Sequence, residues 1–258
     1  MPRLEDITPL VLTWNEAPNL GRTLLRLGWA REVVIIDSGS TDDTRTIAAR
    51  HSGARVIERA FDDHTSQWNF GLDAVATPWV LALDADYLLG EGFEAEVEAR
   101  DEAVDAYEAA FRYCVFGRPL LGSLYPPRAL LFRRERCRYV QDGHTQRLQV
   151  NGALGRLQTP VDHDDRKPLS RWLLAQDRYA ALEADKLLAA DPAKLGLPDR
   201  LRRTGWAALP AVLVHTLLVK GVLLDGWRGG YYALQRLLAE TLLALRLLER
   251  RLNREGDA

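Results

Sequence analysis

The chain has 258 residues, 47% of them apolar and 27% charged, enough for a sizeable core and too patterned for wholesale disorder. A net charge of −2 conceals a polarity: residues 200–258 carry ten Lys/Arg and five Asp/Glu (+5), leaving 24 basic and 31 acidic side chains (−7) in residues 1–199. Two cysteines, Cys114 and Cys137, exclude a disulfide framework and lack zinc spacing, and MPRLED has no basic-then-apolar leader pattern, so a reducing cytoplasmic setting is expected.

ITPLVLTW (7–14) reads as a buried strand that ends in the turn Asn15-Glu16-Ala17-Pro18-Asn19. Leu20, Leu24, Leu25 and Leu27 then suit a helix on the sheet, with Gly28 helping to end it. VVIIDSGS (33–40) is a second strand. Thr41-Asp42-Asp43-Thr44 caps a helix running to about Arg50. ARVIER (54–59) is a third strand, residues 65–76 suit a helix, and WVLALDAD (79–86) is a fourth strand closing on two carboxylates. This alternation predicts parallel strands with crossover helices, whose ligands bind at the carboxyl ends of the strands. Asn15/Glu16, Asp37/Ser38 and Asp84/Asp86 all fall at that rim.

Residues 91–105 read as an exposed acidic helix, and strand-like pieces in 107–160 as an antiparallel extension of the sheet. Residues 168–190 form a helix stopped at Asp191-Pro192, and 205–224 and 231–252 are apolar helices separated by Asp225-Gly226-Trp227-Arg228-Gly229-Gly230. Pro210, His215 and Lys220 argue against a membrane span in the first of these. Arg236, Arg246, Arg250, Arg251 and Arg254 make the second a basic amphipathic helix, suited to a membrane interface or to an oligomer contact, and the two can coexist.

Two carboxylates at the end of a buried strand are costly unless a cation shares the site. Asp84 and Asp86 are therefore candidates to hold Mg²⁺ or Mn²⁺, which would bridge a diphosphate; the alternative is a strand end meeting solvent. Asp37 is placed to accept hydrogen bonds from a base or ribose, or to cap its own turn. Thr13, Asn15 and Glu16 either cradle a nucleotide or form a helix-entry turn.

LTWNEAPNL, VVIIDSGSTDDT, the stretch holding Gln67, Asn69 and Gly71, and WVLALDAD occur in an order that resembles the family-2 glycosyltransferases. Leu224-Asp225-Gly226, with His144 and His163, is similar to the branch that includes the lipopolysaccharide-core glucosyltransferases. The resemblance implies an α/β GT-A (Rossmann-like) mixed sheet flanked by helices, with C-terminal amphipathic helices. It implies a nucleotide-sugar-binding catalytic domain over 1–165 and a helical region over 166–258. Carried over by position, Thr13, Asn15, Glu16 and Asp37 would bind the nucleotide, Asp84 the ribose and diphosphate, and Asp86 the metal. His163 would be a further metal ligand, or a hydrogen-bonded structural histidine.

The implied reaction is inverting transfer of a hexose from a UDP-sugar to a lipid-linked or cell-envelope glycan at the inner membrane face. No nucleic acid is expected as a partner. Two departures stand out: Tyr87 replaces the branch's Glu, and His144-Thr145 replaces its His-Glu. Asp142 is then the expected catalytic base, with Asp164 its rival. Arg166, Arg171 and Trp172 resemble an acceptor-side helix, or belong to a salt-bridged one. A nucleotidyltransferase and a non-catalytic sugar-nucleotide-binding protein are the competing readings.

Overall fold

The computed structural model of the chain describes residues 3–100, 103–122, 125–142 and 145–256, without the side chains of 142, 145 and 254–256. It comprises two compact units, Met1–Pro119 with Tyr125–Lys167, and Leu120–Leu124 with Pro168–Ala258.

In the first unit β1 (Ile7–Thr13), β2 (Val33–Asp37), β3 (Ala54–Glu58) and β4 (Trp79–Asp84) are parallel, joined by α1 (Leu20–Leu25), α2 (Thr44–Ala49) and α3 (His64–Ala74). The runs of buried residues in β1, β2 and β4 are those of strands covered on both faces. Successive residues alternate between two layers, as the pleat requires. Val11, Ile35, Leu81 and Leu83 meet Leu20 and Leu24 of α1, whereas Leu10, Val34, Val80 and Ala82 meet Trp68 and Leu72 of α3. A Cβ on Gly71 would come within 2.7 Å of Leu10 Cδ1, so glycine is what lets α3 lie directly on β1.

After β4 come β5 (Tyr87–Leu89), α4 (Phe93–Glu98), β6 (Ala106–Ala109), β7 (Phe111–Val115), β8 (Arg118–Pro119), β9 (Arg128–Arg133), β10 (Cys137–Asp142), β11 (Thr145–Val150), β12 (Leu154–Arg156) and β13 (Val161–His163). The strands of 107–160 are not a single antiparallel extension. β9, antiparallel to β4 and β6, and β12, parallel to β6, complete a seven-stranded sheet in the order β12-β6-β9-β4-β1-β2-β3. β10 and β11 form a separate hairpin, clasped to α3 by Asn69, whose amide donates to Tyr139 O at 2.9 Å and accepts from Tyr139 N at 3.0 Å. β5, β13, β7 and β8 form a third sheet that sets His163 opposite Tyr87 and Tyr113. The chain changes sheet at Ala110, between β6 and β7. The acidic helix is shorter than expected because only Phe93 and Val97 bury a helical pair there.

The second unit contains α5 (Leu169–Ala189), α6 (Leu197–Arg203), α7 (Ala208–Val214) and α8 (Gly226–Gly256). Ala180, Ala184 and Leu187 of α5 pack with Leu243 and Leu247 of α8. The expected helix over 205–224 is broken: α7 passes into a π turn (His215–Val219), Gly221 turns left-handed at φ 70°, and a 3-10 turn (Val222–Asp225) follows. α8 then begins through the glycines expected to be a linker. A Cβ on Gly229 would lie 1.8 Å from Val222 O, so this close approach admits only glycine. Asp225 holds Leu121 by accepting from its N at 3.0 and 3.1 Å. Two arginines expected to face an anionic surface are engaged within the unit: Arg246 with Asp177 (2.6 Å) and Arg250 with Asp185 (2.7 Å).

Candidate active site

The loops leaving β1 and β2 are laced together by their own polar groups. Asp37 is 0% exposed, and its Oδ1 accepts from Thr13 Oγ1 (2.8 Å) and Ser40 Oγ (2.5 Å). Its Oδ2 accepts from Ser40 N (2.8 Å) and Gly39 N (3.1 Å). Asn15 takes the left-handed conformation (φ 55°), one that Asn tolerates better than most residues. There its N donates to Ser40 Oγ (2.8 Å) and its Oδ1 accepts from Thr41 N (2.8 Å). Glu16 N donates to Thr44 Oγ1 at 2.7 Å. Gln67 reaches the same rim from α3, its Nε2 donating to Ser38 Oγ at 3.0 Å. Thr13, Asn15, Glu16 and Asp37 thus converge, and Asp37 acts on the rim by shaping the turn that presents Ser38.

The turn after β4 is different. Asp86 is 7% exposed; its Oδ2 lies 3.2 Å from His163 Nε2, and its backbone O accepts from Asp164 N (3.0 Å). Asp86 Oδ1 and His163 Nδ1 are buried with no partner. Burial opposes charge on both groups, but each stabilises the other: His163 and Lys167 pull Asp86 below its ordinary range, and Asp86 lifts His163 above its own. Tyr87, Tyr113 and Tyr125 surround the imidazole edge-on.

Glu16 lies close enough for Asp86 to act on its titration. Burial pushes Glu16 up to about 7, against the pull of Lys167 and with the help of Asp86. Lys167 Nζ sits 2.6 Å from Glu16 Oε1 and 3.6 Å from Asp165 Oδ1. The wholly buried Asn19 donates to Glu16 Oε2 (2.8 Å) and Asp165 Oδ1 (2.9 Å). Among the described residues no three His, Cys, Asp or Glu side chains have metal-site geometry. The pair Asp86 and His163 nonetheless fits a cation in chemistry, offering one oxygen and one nitrogen atom without a protein partner.

Asp84, half-buried, lines a cavity of about 360 Å³ with Trp68, Tyr87, Phe111, Arg128 and Tyr139. Tyr139 stacks on Trp68 at 5.2 Å. Tyr87, in the place where the resembling branch has Glu, meets Tyr125 hydroxyl to hydroxyl and accepts from Arg128 Nη1 at 3.4 Å. Burial pushes the Tyr87 phenol up, and Tyr125 to about 12, so both stay neutral.

The side chain of Asp142, and His144, lie outside the described residues. Asp164 is unsuited to act as a base. It is 2% exposed, and its carboxylate accepts from Arg22 Nη1 (2.6 Å), Arg166 Nε (2.8 and 2.9 Å) and Gly117 N (3.1 Å). Arg166 is accounted for by that pairing. The sequence reading missed Asn19, Arg22 and Lys167. One signal was available for Lys167: it is the first of only four lysines in a chain with 34 basic residues.

Residues 10–122 match the model for glycosyl transferase family 2. A lipopolysaccharide core biosynthesis glycosyltransferase, LpsC of Rhizobium meliloti (strain 1021), is 27% identical over 204 residues, covering 72% of this chain and 73% of that protein. An uncharacterized glycosyltransferase of Rickettsia felis is 33% identical over 96 residues, which is 37% of this chain and only 34% of the relative. The resemblance read from the motifs, to family-2 glycosyltransferases and to the lipopolysaccharide-core branch, therefore holds. The mannosyltransferase PcManGT from Pyrobaculum calidifontis, solved in complex with GDP-Man and Mn²⁺, aligns over 96% of this chain and 89% of its own with a TM-score of 0.54 at 17% identity. That likeness bears on the fold alone, and the fold is the expected GT-A mixed sheet flanked by helices.

Proposed function

We propose that this chain, whose residues 10–122 match the model for glycosyl transferase family 2, transfers a hexose from a UDP-sugar to a lipid-linked or cell-envelope glycan, inverting the anomeric centre. The observation that carries the reading is the turn after β4. Asp86 and His163 are buried together, each with an unpartnered atom, at the rim where the loops of β1 and β2 converge.

In this reading Asp86 and His163 hold a divalent cation, and its oxygen–nitrogen donor set suits Mn²⁺ better than Mg²⁺, which favours oxygen throughout. The cation supplies charge neutralisation for the departing diphosphate. The nucleotide lies against the laced loops, with Thr13, Asn15, Glu16 and Asp37 setting their shape and Ser38 presented to it. Asp84 faces the ribose and diphosphate. The acceptor hydroxyl attacks the anomeric carbon and gives its proton to a carboxylate, for which Asp142 is the proposed base. The electron pair of the breaking bond leaves with UDP.

A membrane setting has support in the second unit. No single helix among the described residues is long and apolar enough to span a bilayer, although Ala208–Val219 with Val222–Asn253, bent by 70°, meet the length and composition together. Near the bend Trp227 is 95% exposed, and Leu218, Val219, Leu223 and Leu224 are also exposed, with Lys220 among them. We propose peripheral attachment to the inner membrane face there. Co-sedimentation with phosphatidylglycerol vesicles that Trp227→Ser does not weaken would count against it.

The function is tested by a melting screen of UDP- and GDP-sugars with and without Mn²⁺, followed by donor hydrolysis assays. A metal-dependent stabilisation by one UDP-sugar, with turnover, is expected. Tight UDP binding without turnover would favour a non-catalytic binding protein, and formation of a sugar nucleotide from UTP a nucleotidyltransferase. Because Asp86 favours the protonated form of His163, Mn²⁺ competes with a proton there, and its affinity should rise with pH.

A further inference from the structure

We infer that the cavity beside Asp84 receives the acceptor, and that Arg128 makes it select an acceptor bearing a phosphate or carboxylate near its reacting hydroxyl. This rests on the glycosyl-transfer reading above.

Position comes first. In the sheet β9 lies on the other side of β4 from β1 and β2. The cavity includes Arg128 and Leu130 of β9 and Asp84 of β4, but no residue of the β1 and β2 loops. It therefore lies beside the β1 and β2 loops that suit the nucleotide, with Asp84 at the boundary between the two. Its walls come next. Trp68, Tyr87, Phe111 and Tyr139 are flat and mostly apolar, as a saccharide ring requires of a stacking surface.

The charge decides the class of ligand. Arg22, Arg55, Arg112, Arg166, Arg246 and Arg250 each hold a carboxylate. Among the described residues, none lies within ion-pair distance of Arg128. Its guanidinium rests 4.6 Å from the centre of the Tyr125 ring, and among the described residues its hydrogen bond is the long one to Tyr87. An aromatic ring and a phenol orient the fork, and Asp84 acts on it only through space, without closing an ion pair. An oriented guanidinium in a cleft with no carboxylate in contact is a recognition element for an oxyanion. Were Arg128 only a counter-ion for Asp84, the two would close into a pair, and no such contact exists.

Titration calorimetry of the full chain with glucose 6-phosphate, glucuronate and glucose, each with and without UDP and Mn²⁺, tests this. At least one anion should bind about tenfold tighter than glucose, the scale of one hydrogen bond to a charged group. The phosphate and carboxylate arms tell which oxyanion is preferred. Arg128→Ala should erase the preference, Arg128→Lys should keep part of it, and neither should change UDP binding. Equal binding of all three sugars, binding of none, a preference that survives Arg128→Ala, or a loss of UDP affinity in that variant would overturn the proposal. Failure of the unaltered chain to bind UDP would instead count against the glycosyl-transfer reading, while the anion preference without UDP is judged separately.

Discussion

The loops that close β1 and β2 and the turn that closes β4 stand at one rim of one sheet, and they treat their polar groups in opposite ways. In the loops, Asp37 accepts four hydrogen bonds, Asn15 bridges to Ser40 and Thr41, and Glu16 N is held by Thr44. At the turn, a buried carboxylate oxygen of Asp86 and, from the adjoining β13, a buried nitrogen of His163 have no partner. Buried polar atoms are nearly always paired, and an exception calls for a cause. The difference separates two uses of the same chemistry: satisfied groups give the rim its shape, and unsatisfied ones are kept for something that arrives.

The sharpest way to break this comparison is to remove the unsatisfied group. Asp86→Ala should lower UDP-sugar turnover about 10²–10³-fold, the range for loss of one preorganised electrostatic stabiliser. It should also abolish Mn²⁺ binding in an electron paramagnetic resonance titration, while UDP affinity without metal changes little. Full turnover in this variant would make the turn mere scaffold. The reverse pattern is expected in the loops. Asp37→Ala strands two backbone amides and two hydroxyls, those of Thr13 and Ser40 buried, and should cost about 3 kcal/mol of folding stability in urea denaturation. Its effect on kcat should follow the fraction folded, with the donor KM raised through the altered loop.

Glu16 lies between the two regions, and its pH dependence separates them. Its folded-state value of about 7 exceeds the ordinary 4.5, so between those values the folded chain holds a proton that the unfolded chain has released. The stability contributed is complete below pH 4.5 and is lost as pH rises through about 7. Roughly 2 kcal/mol is expected, discounted from the full shift for screening by solvent. Glu16→Gln should flatten the stability profile over that window. An unchanged slope would show that the ion pair with Lys167 keeps Glu16 charged throughout.

Much of this was legible in advance, for physical reasons. Continuous apolar runs such as VVII and VLAL can be buried on both faces only in a covered parallel sheet, and the acids after them mark the strands' carboxyl ends. Gln67, Asn69 and Gly71 were visible as a motif, but not what they do: Asn69 clasps the Tyr139 backbone and Gly71 admits Leu10. Lys167 is 151 residues from Glu16, and Arg22 is 142 from Asp164; residue spacing carries no information on pairs so distant. The change of sheet at Ala110 and the start of α8 through Gly229 were hidden likewise, since each depends on a tertiary approach rather than on local propensity.

The smallest expected effect bears most directly on how the loops serve a nucleotide. Thr13 is buried, and its hydroxyl donates to Asp37 Oδ1 at 2.8 Å, with a longer contact to Ile36 O at 3.5 Å. If Thr13 acts through the shape of the loop, Thr13→Val should cost about 1 kcal/mol, one hydrogen bond in a near-isosteric change. It should raise the donor KM no more than Asp37→Asn does, and Thr13→Ser should restore both. A direct contact with the nucleotide predicts the other split, with melting temperature nearly unchanged and donor KM raised about tenfold. In that case the division between shape-giving loops and a ligand-receiving turn is too sharp, and the first strand belongs to both.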